Sequence, residues 1–302
     1  MRISSTQYHA TMNQALQNAN ARLEHVMKQM ASGQRYLLPS DNPVANVRLS
    51  RMVREEATLT QYRDNIAALK TRLTQNETTL GSTVKDMLDA RDLMVWAADG
   101  ANASEDLQAM SSSLAALRDS LFYTANTKDQ EGRSLFSGTL TNAPTITDNG
   151  AGASPRYQFT GNTARQAVVV GEGITQAANV SLDEMDDLLN QLDTAANTLS
   201  VPGVSANNPA TRAVVAATLQ SLDDTLSSVN GKIAGLGGAQ NILDTLDSNH
   251  GSVSVANQQS MITLGQLDYG EAATRLSAYS TALQATQKSY SKVSGLSLFD
   301  LI

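Results

Sequence analysis

Apolar residues spaced alternately four and three apart appear near both ends of this chain, and that spacing limits what it can become. Near the start, Met12, Leu16, Ala19, Leu23, Val26 and Met30 fall on one face of a helix. Near the finish, Tyr269, Ala272, Leu276, Tyr279, Leu283, Thr286, Tyr290 and Val293 keep the same step and run into an apolar tail, Leu296, Leu298, Phe299, Leu301 and Ile302. A heptad step favours long helices packed through narrow seams. Composition agrees. The 302 residues could bury a sizeable core, yet aromatics are only 4% of the chain, with one Trp and four Phe.

Between the ends the pattern continues. The first seam stops at Ser32-Gly33, a C-cap signal, and a polar turn with Pro39, Ser40, Asp41, Asn42 and Pro43 follows. Ser40 or Asp41 is expected to cap the next helix, with Pro43 in its first turn. That helix carries Leu59, Tyr62, Ile66, Leu69, Leu73, Asn76 and Leu80 in register. The spacing then predicts a stutter, a jump to Val84, Met87, Arg91 and Met94. Asp99-Gly100 ends the helix, and Ser104 is expected to cap a third whose seam is Leu107, Met110, Leu114, Leu117 and Leu121.

From Gly132 to about residue 180 the heptads give way to Gly, Thr, Asn and Val. Tyr157 and Phe159 alternate with polar neighbours, Gly161-Asn162 offers a turn, and Ala167–Val170 reads as a strand. A small β-rich insert is expected, with loops around Asn149-Gly150. Helix resumes near Ser181, whose spacing to Glu184 matches a capping box. Another long seam runs from Val215 through Leu236 and is expected to break at Gly235, Gly237 and Gly238. The fold class is therefore mainly α, with long helical rods, paired N- and C-terminal coiled-coil helices and a β-rich insert. The expected domains are 1–38 with 266–302, the terminal helices; 39–131 with 181–265, the rods; and 132–180, the insert.

Chemistry finds little support. The 22 Lys+Arg against 29 Asp+Glu leave no concentrated basic patch, which argues against nucleic-acid binding. The absence of Cys removes thiol nucleophiles, disulfides and thiolate metal sites together. His9, His25 and His250 lie far apart without a second ligand at metal spacing, and are expected to be solvated. Asp183, Glu184, Asp186 and Asp187 sit where acids favour a helix N-terminus, not at a cation site. No nucleophile–base pair, cofactor loop or metal set emerges, so neither an enzyme nor a cofactor is expected. Neither a Sec signal peptide nor an apolar stretch of about 20 residues is present, so no membrane insertion is expected.

MRIS at the start, ASGQRYLLPSDNPVAN at 31–46, EGRSLFSG at 131–138 and LDYGEAATRLSAYSTALQATQKSYSKVSGLSLFDLI at 267–302 together resemble the flagellar hook-associated protein 3 family, junction proteins related to flagellin. Asn42 departs from the second Asp often found there. The resemblance implies a structural component of the bacterial flagellum: a homo-oligomeric ring between hook-associated protein 1 and the flagellin filament. It also implies type III export without signal cleavage, and a cytosolic export chaperone on the C-terminal helix. Subunit-interface roles fall, on this reading, to Met12, Leu16, Leu23, Val26, Met30, Leu276, Tyr279, Leu283, Tyr290, Val293, Leu296, Leu298 and Phe299. A flagellin subunit and a cytosolic coiled-coil adaptor are the alternatives. The Pro-Ser-Asp-Asn-Pro run at 39–43 speaks against flagellin, where an Ala-Asp-Asp-Ala run is usual.

Overall fold

A computed structural model describes residues 2–294. Its elements, in chain order, are α1 (Arg2–Ser32), α2 (Pro43–Ala97), α3 (Ser104–Ala125), β1 (Ile146–Asp148), β2 (Tyr157–Phe159), β3 (Ala167–Gly171), β4 (Ile174–Ala177), α4 (Met185–Leu199), α5 (Pro209–Gly265) and α6 (Tyr269–Ser294). The chain is mainly α, with long helices, paired terminal helices and a small β-rich insert. It divides into two compact units, Met1–Leu59 with Gly251–Ile302, and Thr60–His250.

The second unit has a dry seam. On α2, Ile66, Leu69, Leu73, Asn76, Leu80, Thr83, Met87, Ala90, Met94 and Ala97 are all buried. Steps of three and four alternate through this run, so the stutter expected at Val84 and Arg91 does not occur. Thr83 and Ala90 hold those seam positions instead. Thr83 can be buried because its hydroxyl donates to the Thr79 carbonyl at 3.1 Å, inside its own helix. Val84 only flanks the core, and Arg91 turns outward to Asp223 at 2.6 Å. Arg91 with Asp223, Lys70 with Asp244, and Glu77 with Gln240 set α2 and α5 antiparallel along the seam.

α5 likewise runs unbroken through Gly235, Gly237 and Gly238, contrary to expectation. Each mid-helix glycine costs roughly 1 kcal/mol relative to Ala. Burial of Leu236, Ala239 and Leu243 along the same turns offsets that cost. α3 and α4 add their own apolar stripes, Leu107, Met110, Leu114 and Leu121 on one, Met185, Leu188, Leu189, Leu192 and Leu199 on the other.

The caps differ from those expected. Ser104 lies inside α3, and its hydroxyl accepts from the Gly203 amide at 3.0 Å. The cap position is Ala103, whose amide donates to Asp106 Oδ2 at 3.1 Å. At α4 the Ser181–Glu184 box is absent. Ser181 donates to Asp183 Oδ1 at 2.8 Å, and Glu184 is drawn away to Lys232 and to the Ser228 hydroxyl. A cation reaching across from α5 outcompetes the local bond.

The insert consists of two antiparallel hairpins, β1 with β2 and β3 with β4, with the β1–β2 connection running through Asn149 and Gly150. The Gly161-Asn162 turn does not join paired strands. Gly161 instead lies against the Ser137 backbone, and the Asn162 side chain accepts from the Thr139 amide at 2.9 Å. Ile146, Tyr157, Val170 and Ala178 enter the same core cluster as α2 to α5. Asp186, one of the four acids near the start of α4, accepts from the Phe159 amide at 2.9 Å, and Asn190 Oδ1 accepts from the Tyr157 amide at 2.9 Å. Arg156 ties β2 to Asp148 and to Asp193. His250 is not simply solvated: its Nε2 lies 2.8 Å from the Val170 carbonyl and its ring tilts against Tyr62.

Candidate assembly surface

The first unit brings the two ends of the chain together. α1 and α6 run antiparallel, with His9 against Tyr290 at one end and Val26 against Leu267 and Ala272 at the other. Among the described residues assigned to the seam from sequence, Val26 and Ala272 are buried. Met30, Leu276 and Tyr279 pack around them but keep part of their surface. Met12, Leu16, Leu23, Leu283 and Tyr290 are each half-buried. Of Val293 only the backbone, in α6, is described; Leu296, Leu298 and Phe299 lie outside the described residues. His9, expected to be solvated, is instead held between the rings of Tyr8 and Tyr290.

The base of this hairpin is held by polar side chains that periodicity does not reveal. Gly33 follows α1 with φ +70°, a left-handed conformation suited to glycine, and its amide donates to Gln29 O at 2.8 Å. Gln29 is itself buried, and its Nε2 donates to the Arg35 carbonyl at 2.6 Å. The Arg35 amide donates to Gly265 O at 2.8 Å, and the Leu267 amide to Gly33 O at 3.0 Å. Two chain segments that enter and leave the hairpin are thereby tied side by side.

The turn that follows is organised by Asp41 and Asn42. Asp41 Oδ2 accepts from the amides of Leu37 and Leu38 at 2.9 and 3.0 Å. The Leu38 and then the Leu37 amide hold this carboxyl below the usual carboxylate range. The cap of α2 is neither Ser40 nor Asp41 but Asn42, whose Oδ1 accepts from the Ala45 amide at 3.0 Å. Pro43 opens α2, as expected. At α6, Asp268 Oδ1 accepts from Gly270 and Glu271 amides at 2.9 and 3.1 Å. An Asp two and three residues before those amides is the sequence signal that could have found this cap.

On the outside of α1, Met27 is 55% exposed and Tyr8 is 36% exposed. Leu23, Met27 and Ala31 line a shallow depression of about 520 Å³ with Asn20, Glu24 and Lys28. Met27 lies off the expected seam, which is why spacing alone passed it over. In the described residues no helix is long and apolar enough to cross a membrane, and no group of three or more His, Asp or Glu could hold a metal ion.

Residues 3–141 match the model of the bacterial flagellin N-terminal helical region. A flagellar hook-associated protein of Vibrio parahaemolyticus is similar at 32% identity over 74% of this chain and 99% of that one, with a TM-score of 0.67. The chain belongs to the flagellar hook-associated protein 3 family. Flagellar hook-associated protein 3 of Escherichia coli K12 is 27% identical over 100% of this chain and 99% of its own length. Hook-associated protein 3 of Legionella pneumophila shares the fold, at 14% identity and a TM-score of 0.63 over 72% of this chain. Membership makes this a structural protein of the flagellum and not an enzyme.

Proposed function

We propose that this flagellar junction protein forms an adaptor ring between hook-associated protein 1 and the flagellin filament, built through α1 and α6. One observation carries the reading. The α2 seam of the second unit is closed by the chain itself, whereas the equivalent spacing on α1 and α6 leaves all its described large apolar residues but Val26 only partly covered even after the two helices have paired. Each such residue contributes roughly 1.5–3 kcal/mol only when fully covered. Met12, Leu16, Leu23, Met30, Leu276, Tyr279, Leu283, Tyr290 and Val293 then line contacts between subunits, joined by Leu296, Leu298 and Phe299, while Val26, expected at the interface, is already buried against Leu267 and Ala272 and serves the pairing of α1 with α6. Assembly is favourable where a template presents a matching surface, and weak elsewhere.

Export through the flagellar type III apparatus requires a chain that unfolds readily, and a chain without Cys has no disulfide to undo. In this reading a cytosolic chaperone covers α6 before export, since Leu276, Tyr279, Leu283 and Tyr290 each keep part of their apolar surface uncovered until the ring forms.

Amide hydrogen exchange on the free, purified chain tests the proposal. Rapid exchange in α1 and α6, with α3, α4 and the seam stretch of α2 protected, is the expected result. Protection of α1 and α6 equal to that of α3 and α4 would sink the ring assignment and favour a self-sufficient coiled-coil adaptor.

A further inference from the structure

Asn76 lies in the middle of the α2 seam, between Leu73 and Leu80, and is wholly buried. Neither its Nδ2 nor its Oδ1 has a hydrogen-bond partner among the described residues. By contrast, the buried hydroxyls of Thr83, Ser111 and Thr218 each donate to a carbonyl, those of Thr79, Ala196 and Val214, at 3.1, 2.7 and 2.8 Å. An amide closed in a dry seam without partners forfeits the hydrogen bonds it makes with water in the open chain. It therefore favours any state that wets it.

The facing stretch of α5 is weak at the same level. Glu77 accepts from Gln240 Nε2 at 2.8 Å, and Lys70 with Asp244 and Arg91 with Asp223 fix the same antiparallel register. Gly235, Gly237 and Gly238 consequently fall opposite the part of α2 that carries Asn76 and Gly81. A Cβ at any of these four glycines would meet no atom within 4 Å, so packing does not require glycine there. What the glycines contribute is low helix propensity in both helices at one level.

We infer that this level, Asn76 on α2 against the glycine turn of α5, is a built-in yield point at which the second unit opens first. Leu69 and Leu73 close the seam on one side of it and Leu80 and Met87 on the other, so opening spreads outward from Asn76. Its use follows from the export reading above: a chain drawn out as a thread must give up this unit, and a yield point eases the first step. The use rests on that reading, and the yield point does not.

Peptide-resolved amide hydrogen exchange on the full chain reads the opening directly. Residues 74–82 and 232–240 are expected to exchange at least about tenfold faster than 64–72 and 86–94. Asn76→Leu, close in volume, removes both polar atoms. It is expected to slow that exchange about tenfold and to raise the thermal midpoint by a few degrees. Asn76→Met is the second variant, because its unbranched chain adapts to the space where Leu could overfill it. Gly235→Ala is expected to slow the exchange as well, whereas Ser113→Ala, on the exposed face of α3, is expected to leave it unchanged. Exchange at this level no faster than in its flanks would overturn the yield point. So would two Asn76 variants no more stable than wild type, since the buried amide would then be satisfied within the fold. Export is the second arm. In cells making each variant at the wild-type level, Asn76→Leu is expected to lower the amount of this chain in the culture medium several-fold, and Ser113→Ala not at all. A stabilised Asn76→Leu exported like wild type would overturn that use, while the yield point and the hydrogen-exchange test of the ring would stand.

Discussion

His9 on α1 and Tyr290 on α6 meet edge to face, with ring centroids 5.6 Å apart and planes at 84°. Residues 281 positions apart in sequence thus join the far end of the terminal hairpin, where little else is buried. Such a pair contributes about 0.5–1.5 kcal/mol beyond its area. Tyr290→Ala is expected to speed hydrogen exchange in the first turns of α1 several-fold while leaving the Val26 end unchanged. Unaltered exchange around His9 would remove the ring pair as a source of cohesion.

Leu283 is half-buried on α6, on the stripe proposed to face other subunits. Leu283→Asp is expected to leave the thermal unfolding of the second unit within about 0.5 kcal/mol of wild type, as for a surface change. Assembly should be lost, because a charge would enter a dry contact. Cells complemented with this variant and swimming normally would take Leu283 out of the interface.

Asn42 caps α2 through a side-chain oxygen, a role that Asp fills equally well. Asn42→Ala is expected to cost about 1 kcal/mol in denaturant unfolding, and Asn42→Asp close to nothing. A similar loss for both variants would mean that the Asn42 Nδ2 bond to the Tyr36 hydroxyl, at 3.3 Å, matters more than the cap.

Gly138 has φ +73°, and a Cβ there would lie 1.9 Å from the Asn162 carbonyl oxygen. Both the left-handed backbone and the approach of a second main chain exclude a side chain. Gly138→Ala is expected to destabilise the insert by at least about 2 kcal/mol, read as a lower unfolding midpoint. A wild-type midpoint would show that the loop can shift without cost.

Asp148 accepts from Arg156, and that hydrogen bond holds its carboxyl below the usual 3.8. A lowered carboxyl adds stability that is complete above its unfolded value and is lost as pH falls through its folded one. Unfolding midpoints should therefore decline below about pH 4, and Asp148→Asn should flatten that part of the curve while lowering the plateau at neutral pH. The pair is partly exposed, so the effect is modest. An identical acid limb in the variant would assign the decline to other carboxylates, such as Asp41.

Spacing alone disclosed the helices that carry large apolar residues every three and four positions, and the insert that lacks them. It misplaced the α2 register because Thr83 and Ala90 look like surface residues in a sequence, yet one hides its hydroxyl in its own helix and the other fits by being small. It could not foresee which strands pair, since besides the Asp148–Gly150 turn β2 is held by Asn190 and Asp186 of α4, about thirty residues on in sequence. At the terminal hairpin the stripe was legible from Met12 to Tyr290, but the degree of cover was not, because periodicity says which residues share a face and nothing of how wide the opposing face is. Gln29 and Asp268, which fasten the base, are polar and carry no period at all.

A seam that returns every seven residues, as from Ile66 to Met94, cannot stay on one side of a straight helix that turns every 3.6. The seam drifts by about 20° per heptad, so α2 and its partners in the second unit must wind about one another with a left hand. Torque applied in the sense of that winding presses Leu73, Leu80 and Met87 further into their partners, and torque in the opposite sense prises them apart. A dry seam of this kind resists twisting in one direction more than in the other.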